Sequence, residues 1–178
     1  MKIGIISDSH HDLKSIDDAI FLAQDVDCWF HAGDSIDDAE YLQQVSDRVV
    51  YSVCGNIDWF SKKSRELLVK LGNINIFLTH GDAYNVKWGL KYLNERAESL
   101  KADVIIYGHS HVGAKNIIEK RLFLNPGSVS QPRDGLSPSF MIATIEKVNF
   151  ADIEENEEIK INVIEDIALE RVFLKETV

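Results

Sequence analysis

Seven donor side chains punctuate the sequence: Asp8 with His10, then Asp34, Asn56, His80, and finally His109 with His111. Two carboxylates, one carboxamide and four imidazoles make a mixed oxygen and nitrogen donor set. Such a set suits first-row divalent ions such as manganese, iron or zinc. Both cysteines, Cys28 and Cys54, precede the donor positions inside apolar runs and read as buried thiols, so thiolate takes no part. Seven donors exceed what one such ion takes, and suit two ions about 3.5–4 Å apart that share a carboxylate. A hydroxide bridging two cations would be a strong nucleophile at neutral pH, and the same cations would offset charge developing on a transferring phosphoryl group. Taken singly, each donor has another reading. Asp8 could cap a helix, although Asp12 is better placed. Asn56 beside Gly55 is ordinary turn chemistry, and a lone His80 is more often a satisfied polar residue. Their joint order and spacing argue for one site.

The elements that must position these groups alternate as strand, donor loop, helix. Lys2 to Ser7 is a continuous apolar strand, covered on both faces, that ends at Asp8. Leu13 to Ala23 has helical spacing. Asp27 to His31 is a strand running into Gly33-Asp34, and Asp37 to Val45 a helix. Arg48 to Val53 is a strand ending at Gly55-Asn56, and a helix or irregular crossover is expected after it. Ile74 to Thr79 ends at His80-Gly81, Lys87 to Leu100 is an amphipathic helix, and Val104 to Tyr107 leads into Gly108-His109-Ser110-His111. The donors follow one another at roughly 22 to 29 residues, about one β-α unit. In a parallel sheet the carboxyl ends of neighbouring strands share one edge, so the donors are expected to converge there. Glycines beside them permit tight turns and close approach.

Beyond this the period changes. Leu122 to Leu124 is a short strand before Asn125-Pro126-Gly127-Ser128. Phe140 to Ile145 is a strand, and Ile159 to Ile164 and Ala168 to Leu174 alternate as antiparallel strands do, with Glu154 to Glu158 as a solvated turn. The expected fold is α/β: two mixed β-sheets packed face to face and flanked by helices.

At 178 residues the chain reads as one domain, 1–178. It has no apolar run long enough to cross a membrane and no signal-peptide core, so a cytoplasmic protein is expected. The net charge of -10 argues against long nucleic acid held on a broad basic face. Trp59 and Phe60 could stack on a nucleobase or aryl leaving group, or serve as core or interface. Arg133 could approach a substrate phosphate or pair with a structural carboxylate. Alternation along its strand turns His31 away from the donors.

The motifs Asp8-Ser9-His10, Gly33-Asp34, Gly55-Asn56, His80-Gly81 and Gly108-His109-Ser110-His111 together resemble the calcineurin-like metallophosphoesterase superfamily over nearly the whole chain. The small size and the segment Asn125 to Arg133 resemble its compact YfcE/MJ0936-like phosphodiesterase branch, which is also similar to the retromer subunit Vps29. The resemblance implies a four-layer sandwich and in-line hydrolysis of small phosphodiesters, supported by two divalent ions, manganese first, with iron, zinc or nickel as alternatives. It implies that Asp8, His10 and His111 hold the first ion, that Asn56, His80 and His109 hold the second, and that Asp34 bridges them. Asn56 and His80 are carried over as catalytic residues too. A protein-binding scaffold of the Vps29 kind, with weak or no catalysis, is the alternative; loss of donors would favour it, and none of the seven is lost. The C-terminal strands could form a subunit contact and hence a homo-oligomer. Many superfamily members have a histidine directly after the Gly-Asn pair; here Ile57 and then Asp58 follow. Asp58 is thus the candidate leaving-group acid, or else a turn or loop acceptor. Relatives often carry a histidine two places after the residue matching His80, where this chain has Asp82.

Overall fold

The structure, a computed structural model, describes residues 1–145 and 167–174. The expected turn at Glu154 to Glu158 and strand at Ile159 to Ile164 lie outside the described residues. In chain order the elements are β1 (Lys2–Ile6), α1 (Leu13–Leu22), β2 (Cys28–His31), α2 (Ile36–Ser46), β3 (Val49–Ser52), β4 (Glu66–Leu71) and β5 (Ile74–Thr79). A 3-10 turn at Asp82–Tyr84 follows, then α3 (Lys91–Ser99), β6 (Val104–Ile106), β7 (Ala114–Ile118), β8 (Arg121–Asn125), β9 (Ser139–Thr144) and β10 (Ala168–Phe173).

Among the described residues the strands make two mixed sheets, ordered β10-β9-β1-β2-β3 and β4-β5-β6-β8-β7. β1, β2 and β3 are parallel in the first sheet, and β5, β6 and β8 in the second. The antiparallel strands do not form a separate C-terminal layer. β9 and β10 extend the first sheet beside β1, while β4 and β7 edge the second.

Strand alternation builds the layers. Ile3, Ile5, Cys28 and Phe30 face inward from the first sheet onto Ile76, Leu78, Val104, Ile106, Leu122 and Leu124 of the second. The opposite face of the first sheet, with Ile6, Trp29 and Phe140, packs on Ile16 and Ala19 of α1 and Leu42 of α2. Phe77, Ile105 and Phe123 meet Leu93 and Ala97 of α3 on the outer face of the second. The order is helix, sheet, sheet, helix.

Two strands depart from expectation. In place of a helix or irregular crossover after β3, the chain makes β4, whose Leu67, Val69 and Leu71 alternate onto the inter-sheet core. Its two-residue link to β5 is Gly72-Asn73, with Gly72 at φ 59°, a hairpin signal. β7 was also unanticipated. It joins β8 through Glu119-Lys120, both at positive φ (48° and 67°), a turn made without the glycine that normally marks one. The helix expected over Lys87 to Leu100 begins at Lys91, because Gly89 at φ 143° interrupts the helical path. Asp12 caps α1, accepting from the Ser15 backbone N–H at 3.2 Å.

Phe30 is fully buried between the sheets. Phe30→Ala is expected to lower unfolding free energy by about 3–5 kcal/mol, read as a lower denaturant midpoint with an unchanged slope.

Candidate metal centre

The carboxyl ends of the parallel strands of both sheets meet at one rim. The sequence reading placed the donors along the edge of one parallel sheet; the structure divides them between two. β1, β2 and β3 lead to Asp8 and His10, to Asp34 and to Asn56 on one side. β5 and β6 lead to His80 and to His109 and His111 on the other. Asp8, Asp34, His80 and His111 are buried, while His10, Asn56 and His109 are half-buried at the mouth.

Two groups of atoms face one another. In the first, His111 Nε2 lies 3.3 Å from His10 Nε2 and 3.3 Å from Asp8 Oδ1, and His10 Nε2 is 4.0 Å from Asp34 Oδ2. In the second, His80 Nε2 lies 3.2 Å from Asn56 Oδ1, 3.2 Å from His109 Nδ1 and 3.3 Å from Asp34 Oδ2. Asp34 Oδ2 belongs to both. Its other oxygen, Oδ1, accepts from the Ile57 backbone N–H at 3.1 Å. Asp8, Asp34 and His80 also offer atoms within 4.8 Å of one another. Donors about 2.1 Å from a common cation stand roughly 3.0–3.4 Å apart, close to most of these spacings.

Tautomers make the fit chemical as well as metric. His80 Nδ1 donates to the Ala32 carbonyl at 2.7 Å, and His111 Nδ1 to the Gln131 carbonyl at 2.6 Å. A neutral imidazole that spends one N–H on a carbonyl points a lone pair from its other nitrogen. His80 Nε2 therefore turns a lone pair towards a carboxylate oxygen and an amide oxygen, an arrangement that needs a proton or a cation between the atoms.

The electrostatics agree. Burial pulls His109 and His111 down to about 4, and it lowers His10. These imidazoles are neutral and ready to ligate near pH 7. Burial also opposes charge on His80, but the hydrogen bond to Asp34 and the charges of Asp8 and Asp34 outweigh it and raise its pKa. In the metal-free protein a proton on His80 can thus fill a cation's place. Burial pushes Asp8 up to about 6. It also pushes Asp34 upward, but the hydrogen bond and charge of His80 prevail and hold Asp34 at about 2.

The loops holding these groups are conformationally costly. Asp8, His10, Asp34, His109 and His111 all have φ between 48° and 66°, a region costing an L-residue about 1–2 kcal/mol. Hydrogen bonds offset this. The Asp8 N–H donates to the Gly33 carbonyl (3.1 Å), the His10 N–H to the Asp34 carbonyl (3.0 Å), and the His109 N–H to the Asp8 carboxylate (3.1 Å). Two glycines are required by proximity. A Cβ on Gly55 would lie 1.9 Å from Asp34 Oδ1, and one on Gly108 would lie 1.9 Å from Ser7 Oγ and 2.8 Å from Asp8 Oδ2.

The Asn125 to Ser130 segment fastens the donor loops. Asn125 Nδ2 donates to the Gly108 carbonyl (3.0 Å) and Ser110 Oγ (3.0 Å). The Ser128 and Ser130 hydroxyls donate to the Asp8 carbonyl (2.7 and 2.9 Å). Sequence reasoning missed Arg171 of β10 entirely. Its guanidinium donates to Asp134 (2.6 Å) and Ser139 (2.9 Å) and holds the loop whose Gln131 carbonyl orients His111. Only the small residues facing it, Gly113 and Gly127, hint at it.

Other sequence candidates fall as follows. Asp58 Oδ1 accepts from the Ile36 N–H at the start of α2 (2.9 Å), and Oδ2 from the Gly55 N–H (2.7 Å). With both oxygens accepting, it is a loop-fixing carboxylate, not a group poised to give a proton. Asp82 pairs with Arg65 (2.9 Å). His31 is fully buried, with Nε2 3.0 Å from Ser9 Oγ and Nδ1 accepting from the Gly33 N–H at 3.3 Å. Arg133 gives its backbone N–H to the His111 carbonyl (3.0 Å). Its exposed guanidinium makes no ion pair among the described residues, and its charge acts on both His10 and His111.

Known proteins match this chain in sequence and fold. Residues 1–148 fit the calcineurin-like phosphoesterase superfamily domain, and the chain belongs to that superfamily. It is 36% identical over 164 residues to the probable metallophosphoesterase YsnB of Bacillus subtilis, covering 88% of this chain and 94% of that protein. It is 29% identical over 171 residues to the phosphodiesterase MJ0936 of Methanocaldococcus jannaschii, covering 86% and 98%. The zinc-complexed Vps29 structure from Entamoeba histolytica shares the fold, with a TM-score of 0.68 and 21% identity over 97% of this chain and 99% of that one.

Protons compete with cations for these donors, so bound metal should be lost on the acid side. As pH falls through about 6, Asp8 protonates and His80 is held charged. Calorimetric affinity of the metal-free protein for manganese is expected to fall about tenfold per pH unit for each proton displaced. An affinity unchanged between neutral pH and the pKa of Asp8 would contradict this.

Proposed function

We propose that the protein is a dimetal phosphodiesterase that hydrolyses small phosphodiesters. The observation that carries this reading is Asp34 Oδ2, common to two donor groups, 3.3 Å from His80 and 4.0 Å from His10. Asp8, His10 and His111 would hold one ion and Asn56, His80 and His109 the other, with Asp34 shared. Manganese is the first choice, and iron, zinc or nickel suit the same donors. When bound, such ions neutralise charge on a phosphoryl group and make water more acidic.

The chain's own residues supply orientation. The Ala32 and Gln131 carbonyls hold the His80 and His111 rings so that their Nε2 atoms face the centre. The Ile57 N–H fixes the Asp34 carboxylate by one oxygen and leaves the other to be shared. Arg133, charged and free of ion pairs among the described residues, is suited to a phosphate oxygen beside His10 and His111. Asp58 is committed to two backbone N–H groups, so it is not assigned as the acid for the leaving group. The relative named as a phosphodiesterase favours diesters, and the net charge of -10 disfavours long polyanions. A Vps29-like scaffold is not favoured, because every donor is present.

The test is hydrolysis of bis-p-nitrophenyl phosphate by metal-stripped protein, with and without manganese, beside Asp34→Asn. Manganese-dependent turnover is expected, reduced about 100-fold or more in the variant. No turnover with two ions bound, or an undiminished variant, would overturn the reading.

A further inference from the structure

A cleft of about 360 Å³ opens beside the candidate centre. Three of its lining residues, His11, Ser35 and Ile57, each directly follow a candidate ligand: His10, Asp34 and Asn56. The cleft therefore adjoins three of the donor loops. Its outer wall is Trp59 and Phe60, which are 80% and 100% exposed. Single exposed apolar residues are common, but two aromatic residues side by side at the lip of a cleft of mixed polarity are a ready stacking platform.

The platform is held at a fixed offset from the centre. Asp58 ties the start of its loop to Gly55 and Ile36. Backbone hydrogen bonds from Trp59 to Ile57 (2.9 Å) and from Ser61 to Asp58 (3.2 Å) close the turn that carries the two rings.

Charge narrows the occupant. The cleft is also lined by Asp37, Glu40 and Lys63. Glu40 pairs with Lys63 at 2.7 Å, and Asp58 is satisfied by two backbone N–H groups. Asp37 lies in the first turn of α2, where the helix dipole offsets its charge. Lys63 is taken up by Glu40, and His11 Nδ1 lies 3.6 Å from Asp38 Oδ1, so no wall residue is left without an acidic neighbour to neutralise a second phosphate, and the acids are too well compensated to select a cation. What fits is a neutral, flat ring with polar edges, with the exposed Asp37 carboxylate as an acceptor for ring N–H groups.

We propose that this cleft is the subsite for a nucleoside arm of the phosphodiester, its base stacked on Trp59 and Phe60. The substrate class is then a short diester with one uncharged nucleoside arm, of the dinucleoside monophosphate kind. The assignment rests on the phosphodiesterase reading of the adjoining centre.

The experiment has a binding arm and an activity arm. Saturation-transfer NMR follows adenosine alone on the wild-type protein and on Trp59→Ala/Phe60→Ala, with choline as the cationic competitor and sedimentation recorded on each sample. Adenosine is expected to bind the wild type at millimolar concentration and about tenfold or more weakly to the variant. With manganese-loaded enzyme, the ratio of kcat/KM for adenylyl-adenosine to that for glycerophosphoglycerol is expected to fall about tenfold in the variant. Equal adenosine binding to both proteins, no binding to the wild type, or displacement by choline would overturn the subsite. So would loss of binding accompanied by dissociation of a dimer, which would make the rings an interface between copies. Adenosine failing to bind while bis-p-nitrophenyl phosphate is hydrolysed would sink the subsite alone. Adenosine binding with no diester hydrolysed would sink the phosphodiesterase reading and, with it, the substrate assignment, leaving the cleft a nucleoside-binding site only.

Discussion

Electron-rich atoms repel, and the rim of this sandwich presses them together. His80 Nε2 faces an amide oxygen, a carboxylate oxygen and a second imidazole at 3.2–3.3 Å. Two carbonyls prevent relief by ring rotation, because His80 and His111 are each committed through Nδ1. The arrangement favours positive charge at its centre: despite burial, the neighbouring carboxylates raise the pKa of His80, and on our account divalent ions supply that charge in the working protein. The raised pKa of His80 and the low values of Asp34, His109 and His111 follow from this crowding and the burial around it.

The fold exists in a form that tolerates such crowding. Two sheets share an apolar core and open their parallel strand ends at one rim. Loops in an unfavourable backbone region span that rim, pinned by Asp8, by the Asn125 to Ser130 segment and, at one remove, by Arg171. The rigidity that stores backbone strain in five donor residues also fixes the donor spacing, so the stability of the sandwich and the geometry of the site are linked.

Much of this was legible in the sequence because strand ends and donor types are local signals. Ile74 to Thr79 matched its strand at both ends, and the donor order followed strand order. Convergence was legible too, although the donors are split between two sheets rather than lined along one. β4 and β7 were missed for different reasons. β4 is announced only by Gly72-Asn73, a turn pair inside the stretch where a helix or irregular crossover is expected. β7 turns at Glu119-Lys120, where side chains carry no warning of positive φ. Asp58 illustrates a deeper limit: its position after Gly55-Asn56 suggested chemistry, whereas its two backbone partners, one of them 22 residues away, exist only in the fold. Arg171 is signalled only by the small residues Gly113 and Gly127 that face it, since its side-chain partners lie 32 and 37 residues earlier.

The central claim is that Asp34 is shared by two cations. The most direct measurement is an anomalous difference map from a crystal of the protein grown with manganese. The account predicts two peaks about 3.5–4 Å apart, with Asp34 Oδ2 between them, Asp8, His10 and His111 around one, and Asn56, His80 and His109 around the other. A single peak, or two peaks neither of which touches Asp34, would contradict it.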